Sequence, residues 1–190
     1  MKIILGIFIL CSSFVISDGD NLKYWNTYSK LTWNDFVEST DLAANEDAKV
    51  YIEMPSPFQT TINYEMVIKI QTCVDRTKSK VRKGHQNDTL LMHEQGHFDL
   101  QEIIARKFRK EVRSFKFKYE GLKEDYFKIA DKYSKETDSI HVLYDNETSH
   151  SKNRKEQMIW LKKIKLQLDS LRSYSEPNIV LKLAKPIKTR

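Results

Sequence analysis

The clearest alternation in the chain runs through "TINYEMVIKIQT". Ile62, Tyr64, Met66, Ile68 and Ile70 recur at every second position among mostly polar neighbours, the period of a strand with one face in a core. A further strand is predicted at "KVYIEM", Lys49 to Met54, ended by Pro55 and Pro57, since proline cannot donate to a ladder. Upstream, "LTWNDFVES" offers Leu31, Trp33 and Phe36 as anchors of a short element after an irregular lead-in over 18–30. The period then changes. Asn87-Asp88-Thr89 supplies cap residues, and a long helix is expected from about Thr89 to Phe117. Its apolar positions are Leu90, Leu91, Leu100, Ile103, Ile104, Phe108 and Val112. Gly121 marks a break, and a second helix fits Leu122 to about Glu136 with Tyr126, Ile129, Ala130 and Tyr133 inward. "SIHVLYDNETSH" reads as a connecting segment. A third helix fits about Lys152 to Tyr174, where Leu161, Ile164, Leu168 and Leu171 keep helical spacing. The tail "NIVLKL" is either a last strand or a mobile end. Strands followed by long helices predict a single α+β domain with a small twisted sheet packed against helices.

Length and composition agree with that picture. A chain of 190 residues with 40% hydrophobic and 31% charged residues suits one soluble globular domain. The net charge of +6 is spread over scattered lysines. Neither a basic stripe with interleaved aromatics nor a known module argues for nucleic acid, so none is expected as a partner.

The N-terminus "MKIILGIFILCSSFVISDGD" changes the picture more. Lys2 precedes an apolar run, Ile3 to Leu10, and Val15-Ile16-Ser17 ends before polar Asp18. This is the pattern of a secretory signal peptide over residues 1–17, cut after Ser17. The run is shorter than the roughly 20 apolar residues of a permanent span. Leu10 before Cys11 argues against a lipoprotein signal, which wants a small residue there. The expectation is an exported protein, periplasmic or extracellular, with a mature domain over 18–190 and no stable membrane span. Removal of the signal leaves Cys73 as the single cysteine. The mature chain then has no internal disulfide and no thiolate zinc site. Cys73 ends the alternating run and reads as a buried small hydrophobe.

Candidate chemistry sits in "LLMHEQGHFDL". His93 and His97 are four apart, so on a helix they share one face. Both imidazoles can address one zinc ion, and Glu94 lies about 100° further round, placed to act as general base on a zinc-activated water. A chance H-E-x-x-H in a chain of this size is on the order of one in a hundred. Gly96 costs the helix about 1 kcal/mol against alanine, which a close-packed segment near the metal face would explain.

Around this helix the chain resembles a known family. "LLMHEQGHFDLQE", "LTWNDF" upstream and "YDNETSHSKNRKEQMIW" downstream are similar to motifs of a bacterial family of predicted secreted zinc-dependent proteases. The similarity spans about Leu31 to Trp160. It implies a zincin-like fold, a zinc cofactor and a peptide or protein substrate. It further implies that part of Tyr51 to Thr72 binds substrate through its backbone. Ser151 stands where the family pattern has glycine, a departure that bears on the local turn.

A catalytic zinc needs a third protein ligand. Leu100 and Ile103 replace the glycine and histidine of the extended metzincin pattern, which excludes that class. Glu102 falls on the far side of the helix, and Gln101 is a weak ligand on the near side. The candidates are His141, Asp145, Glu147 and His150 in the connecting segment, with Glu120 and Glu124 open as glutamate ligands. The resemblance favours His150, with Asp145 next as a ligand or as a carboxylate orienting a histidine. Tyr144 is a candidate oxyanion donor or a packing residue. The sequence therefore predicts an exported zinc metallopeptidase with Glu94 catalytic and His93, His97 and His150 on the metal. Its rival is an exported binding or assembly protein that keeps the zinc helix for structure.

Overall fold

The long helix is the centre of the molecule. In the computed structural model, which describes residues 21–28 and 30–184, α1 runs Asp88–Ser114. Its first turn is closed by Asn87, whose side chain accepts the Leu90 N–H at 3.0 Å. The expected signal peptide over 1–17, with Cys11, lies outside the described residues. α2 spans Leu122–Thr148 and α3 spans Arg154–Ser170. Gly121, at φ 78°, takes the left-handed conformation that lets the chain turn into α2.

The described residues form nine short strands: β1 Leu22–Tyr24, β2 Val37–Glu38, β3 Ala48–Lys49, β4 Ile52–Glu53, β5 Phe58–Thr60, β6 Glu65–Lys69, β7 Cys73–Asp75, β8 Lys80–Val81 and β9 Asn178–Lys182. The fold is mixed α+β, but the described strands form three separate sheets rather than one. Their orders are β1-β7-β4, β2-β8-β3 and β5-β6-β9. Every pairing is antiparallel except β2 with β8.

Four expectations are corrected. The strand predicted over Lys49 to Met54 divides into β3 and β4, which belong to different sheets. Ile62 keeps the alternation of β6 but lies in the β5–β6 turn, 96% exposed. The lead-in over 18–30 contains β1. Most consequentially, the supposed connecting segment is helix, and α2 continues to Thr148. Thr137, His141, Tyr144, Asp145 and Thr148 form one buried stripe on it. Packing of that stripe overrides the turn preference of Asp, Asn, Thr and Ser.

α1 is enclosed on all sides at its middle, and every residue from 96 to 106 is buried. Ile104, Phe108 and Val112 meet Met66, Ile68 and Ile179 of the third sheet and Tyr126, Ile129 and Tyr133 of α2. Leu90 and Phe98 meet Ile52, Val74, Val81, Leu31 and Phe36. Leu100 and Ile103 meet Tyr144, Trp160 and Ile164. Cys73 is fully buried, and burial pushes its thiol up to about 12, as suits an inert core residue.

Polar residues on such a helix need partners. Glu102 accepts from Arg106 Nε and Arg109 Nη1, each at 2.9 Å, and from Thr72 Oγ1 at 3.0 Å. Arg109 Nε donates to the Ile70 carbonyl at 2.9 Å, and Arg106 Nη1 to the Leu168 carbonyl at 2.6 Å. This trio fastens α1 to the end of β6 and to the end of α3. Glu102→Ala would leave two buried guanidinium groups without a counter-charge. It should lower the unfolding free energy by about 3–5 kcal/mol, read from urea titrations. A loss below about 1 kcal/mol, the range of exposed pairs, would show that the trio is not a clamp.

Candidate metal centre

His93 and His97 sit one turn apart near the start of α1, with their Nε2 atoms 3.2 Å apart. α2 brings Asp145 to them. Its Oδ1 lies 3.1 Å from His93 Nε2 and 3.0 Å from His97 Nε2. All three side chains are buried and form a group able to hold a metal ion. Ligands about 2.0–2.1 Å from a tetrahedral ion lie roughly 3.3 Å from one another, close to the spacing found here.

The protons of the site point the same way. Thr148 Oγ1 donates to the Tyr144 carbonyl at 2.6 Å, so it can only accept from His93 Nδ1–H, 3.4 Å away. His93 Nε2 is then bare. Gln101 Oε1, an acceptor, lies 3.2 Å from His141 Nε2, which must carry the hydrogen. Neutral His141 therefore accepts at Nδ1, 2.8 Å from His97 Nδ1, and His97 turns its Nε2 lone pair inward. Two imidazole lone pairs and a carboxylate oxygen thus face one another. Three acceptors at this distance require a positive guest, either a metal ion or a proton.

The titration of these groups follows from the geometry. Burial lowers His93 to about 4 and His141 to about 3. Burial also works to lower His97, but the hydrogen bond and charge of Asp145, helped by Glu94, outweigh it and raise His97 above its ordinary value. Burial raises Asp145, yet its bonds to His93 and His97 hold it well below the usual carboxylate range. The Asp145 carboxylate thus favours a proton on His97, and an ion bound there would compete with that proton.

Glu94 is buried beside the group, and its Oε2 accepts the Val50 N–H at 2.9 Å. Burial raises it to about 7, against the lowering effect of the His97 charge and the Val50 bond. A cleft of about 1050 Å³ opens above His93, Glu94, His97 and Asp145. Residues 48–52 run along it. Of the stretch from Tyr51 to Thr72, only Tyr51 and Ile52 line the cleft.

Tyr144 forms the wall behind the histidines. Its ring stacks on His93 at 4.7 Å and meets the edge of His97 at 4.9 Å. Its hydroxyl donates to the His93 carbonyl at 3.4 Å rather than to the cleft. Gly96 permits this approach, since a Cβ there would lie 2.3 Å from the Tyr144 hydroxyl.

Asp145, rather than the expected His150, is the residue that joins His93 and His97 in the buried group. His150 stays at the rim, Nδ1 3.4 Å from Asp145 Oδ1 and Nε2 3.4 Å from the Asn45 amide. It belongs to a turn of three left-handed residues, Ser149, His150 and Ser151, at φ 49°, 49° and 73°. Ser151 thus adopts the backbone glycine favours. Glu147 accepts from Trp160 Nε1 at 2.7 Å. Glu120 is exposed just before α2, and Glu124 lies in its first turn, roughly 30 Å along the helix from Asp145. His85 pairs with Asp47 at 2.9 Å. His141 and Thr148 act behind the ligands, and Gln101 does so through His141. The helical spacing of 137, 141, 144, 145 and 148 was the signal for this stripe. No family model, no curated protein and no solved structure matches the chain.

Two outcomes follow from this geometry. Because Asp145 makes His97 hold a proton more tightly than a free imidazole does, zinc binding should release a proton at any pH where His97 is protonated. Apparent affinity should then rise about tenfold per pH unit until His97 is neutral. Calorimetry in buffers of different ionisation enthalpy reads this, and zero release would contradict the assigned protonation. Separately, Gly96→Ala should destabilise the protein, although alanine favours a helix by about 1 kcal/mol. In a Tyr144→Ala background the same change should become neutral or stabilising. Thermal melts of the four proteins provide the cycle, and equal effects in both backgrounds would exclude the close approach.

Proposed function

We propose that the protein is a zinc-dependent metallopeptidase of zincin type, acting outside the cytoplasm on peptide bonds. The observation that carries this is the convergence of three donor atoms, His93 Nε2, His97 Nε2 and Asp145 Oδ1, within 3.0–3.2 Å at the floor of an open cleft. Two imidazoles and one carboxylate are a donor set found in catalytic zinc sites, which keep a further position open. When bound, zinc supplies Lewis acidity, which makes water nucleophilic near neutral pH and polarises a carbonyl.

This chain's own residues do the rest. Glu94, raised to about 7, is matched to taking and returning a proton near neutral pH. Val50 N–H holds its carboxylate in place. Thr148 and the His141–Gln101 pair keep His93 and His97 in the tautomers that ligation needs. β3 and β4 are outer strands of their sheets and run beside the cleft, so an extended peptide can lie against that backbone. His150 supports the Asp145 carboxylate from the rim. The resemblance of the HEQGHF-type helix to predicted secreted zinc proteases agrees with this reading.

Glu94→Gln should retain stoichiometric zinc and lose roughly 10²–10⁴ in peptide hydrolysis, the weight of a general base. Asp145→Ala should lose the metal by elemental analysis, whereas His150→Ala should keep it. Full activity in Glu94→Gln would remove it from catalysis. A folded wild type that takes up zinc but cleaves no member of a broad peptide library would replace the peptidase with a binding protein.

A further inference from the structure

α3 has two unlike faces. Gln157, Trp160 and Ile164 are buried, with Leu161 and Leu168 half-buried beside them. On the opposite face, Met158, Ile159 and Leu166 stand 53%, 39% and 60% exposed. Lys155 and Lys162 are exposed between them, with Arg154, Lys163 and Lys165 at the margins. From residue 152 to 172 there are seven basic and two acidic residues, a net of +5 where the whole chain carries +6. Asp169, one of the two acids, is paired with Arg172 at 3.1 Å. This basic helix, one of several basic stretches of the chain, is distinguished by an outer face that also carries three long apolar side chains.

We propose that α3 lies flat on an anionic lipid surface, with Met158, Ile159 and Leu166 entering the headgroup boundary and the lysines reaching phosphates. Basic residues interleaved with apolar ones on a helix suit that interface, because lysine stems lie along apolar material while their ammonium groups stay in water. Nucleic acid would favour exposed aromatics for stacking, whereas Trp160 of this helix is buried. An anionic lipid surface offers phosphates and an apolar boundary together along the whole length of the helix, and the vesicle experiment below separates it from an acidic protein. The proposed contact is a peripheral one, made by a helix lying along the surface; no described helix is long and apolar enough to cross a membrane. It does not depend on hydrolysis. Because α3 follows the turn carrying His150, which lines the cleft, docking would hold the cleft mouth near the lipid surface.

Co-sedimentation with phosphatidylcholine vesicles, alone or mixed with phosphatidylglycerol, tests the proposal. The protein should bind only the anionic vesicles and release as salt rises. Lys155→Gln with Lys162→Gln should weaken partitioning roughly 30-fold. Ile159→Ser with Leu166→Ser should weaken it without changing the salt dependence. All four side chains are exposed, so circular dichroism melts should match the wild type. Failure of the wild type to sediment with anionic vesicles at low salt would overturn the proposal. So would unchanged binding by the lysine variant. Equal binding by the serine variant, with equal capture by soluble polyglutamate, would replace the lipid surface with an acidic protein.

Discussion

A helix enclosed on every side cannot leave a polar side chain without a partner, and α1 carries many. Each one fixes a different part of the chain. Gln95 accepts the Leu31 N–H at 2.8 Å, and Asp99 accepts Trp25 Nε1 at 2.7 Å, which bring the N-terminal segment onto the helix. Glu102 and its two arginines hold the ends of β6 and α3. Gln101 and His97 meet His141 from opposite sides and so set the height of α2. The His93, His97 and Asp145 group, able to hold a metal ion, is one part of this larger requirement that buried polarity be satisfied.

The approach of α2 rests on a missing side chain as much as on the bonds. Gly96 lets the Tyr144 ring sit against the helix, and that ring holds both histidines while the next residue, Asp145, reaches between them. The left-handed turn over 149–151 then sends the chain into α3 and leaves His150 at the rim. Left-handed conformations cost non-glycine residues of order 1 kcal/mol each, and their clustering beside the cleft fits a turn held by its surroundings.

Much of this was legible in the chain. The H-E-x-x-H spacing predicted a shared face for His93 and His97, and β6 was visible in its alternation. The cap residues at Asn87-Asp88-Thr89 and the break at Gly121 located two helix starts. What misled was local chemistry overruled by packing. "YDNETSH" is rich in residues that favour turns, so the end of α2 read as a loop and His150 ranked above Asp145. Strands of two residues carry no usable period, so three small sheets looked like one. Ile62 extended an alternation past the point where the strand had already turned.

An ion held by His93, His97 and Asp145 would join positions 52 residues apart. It would then act as a removable cross-link in a chain whose described residues contain one cysteine, Cys73, and that one unpaired. A covalent bridge over a loop of that length restricts the unfolded chain by about 4 kcal/mol in chain-entropy terms. A metal clip draws on the same entropy, but reversibly. The seam between α1 and α2 would therefore tighten or loosen with the divalent ions around the protein, coupling its lifetime to their supply.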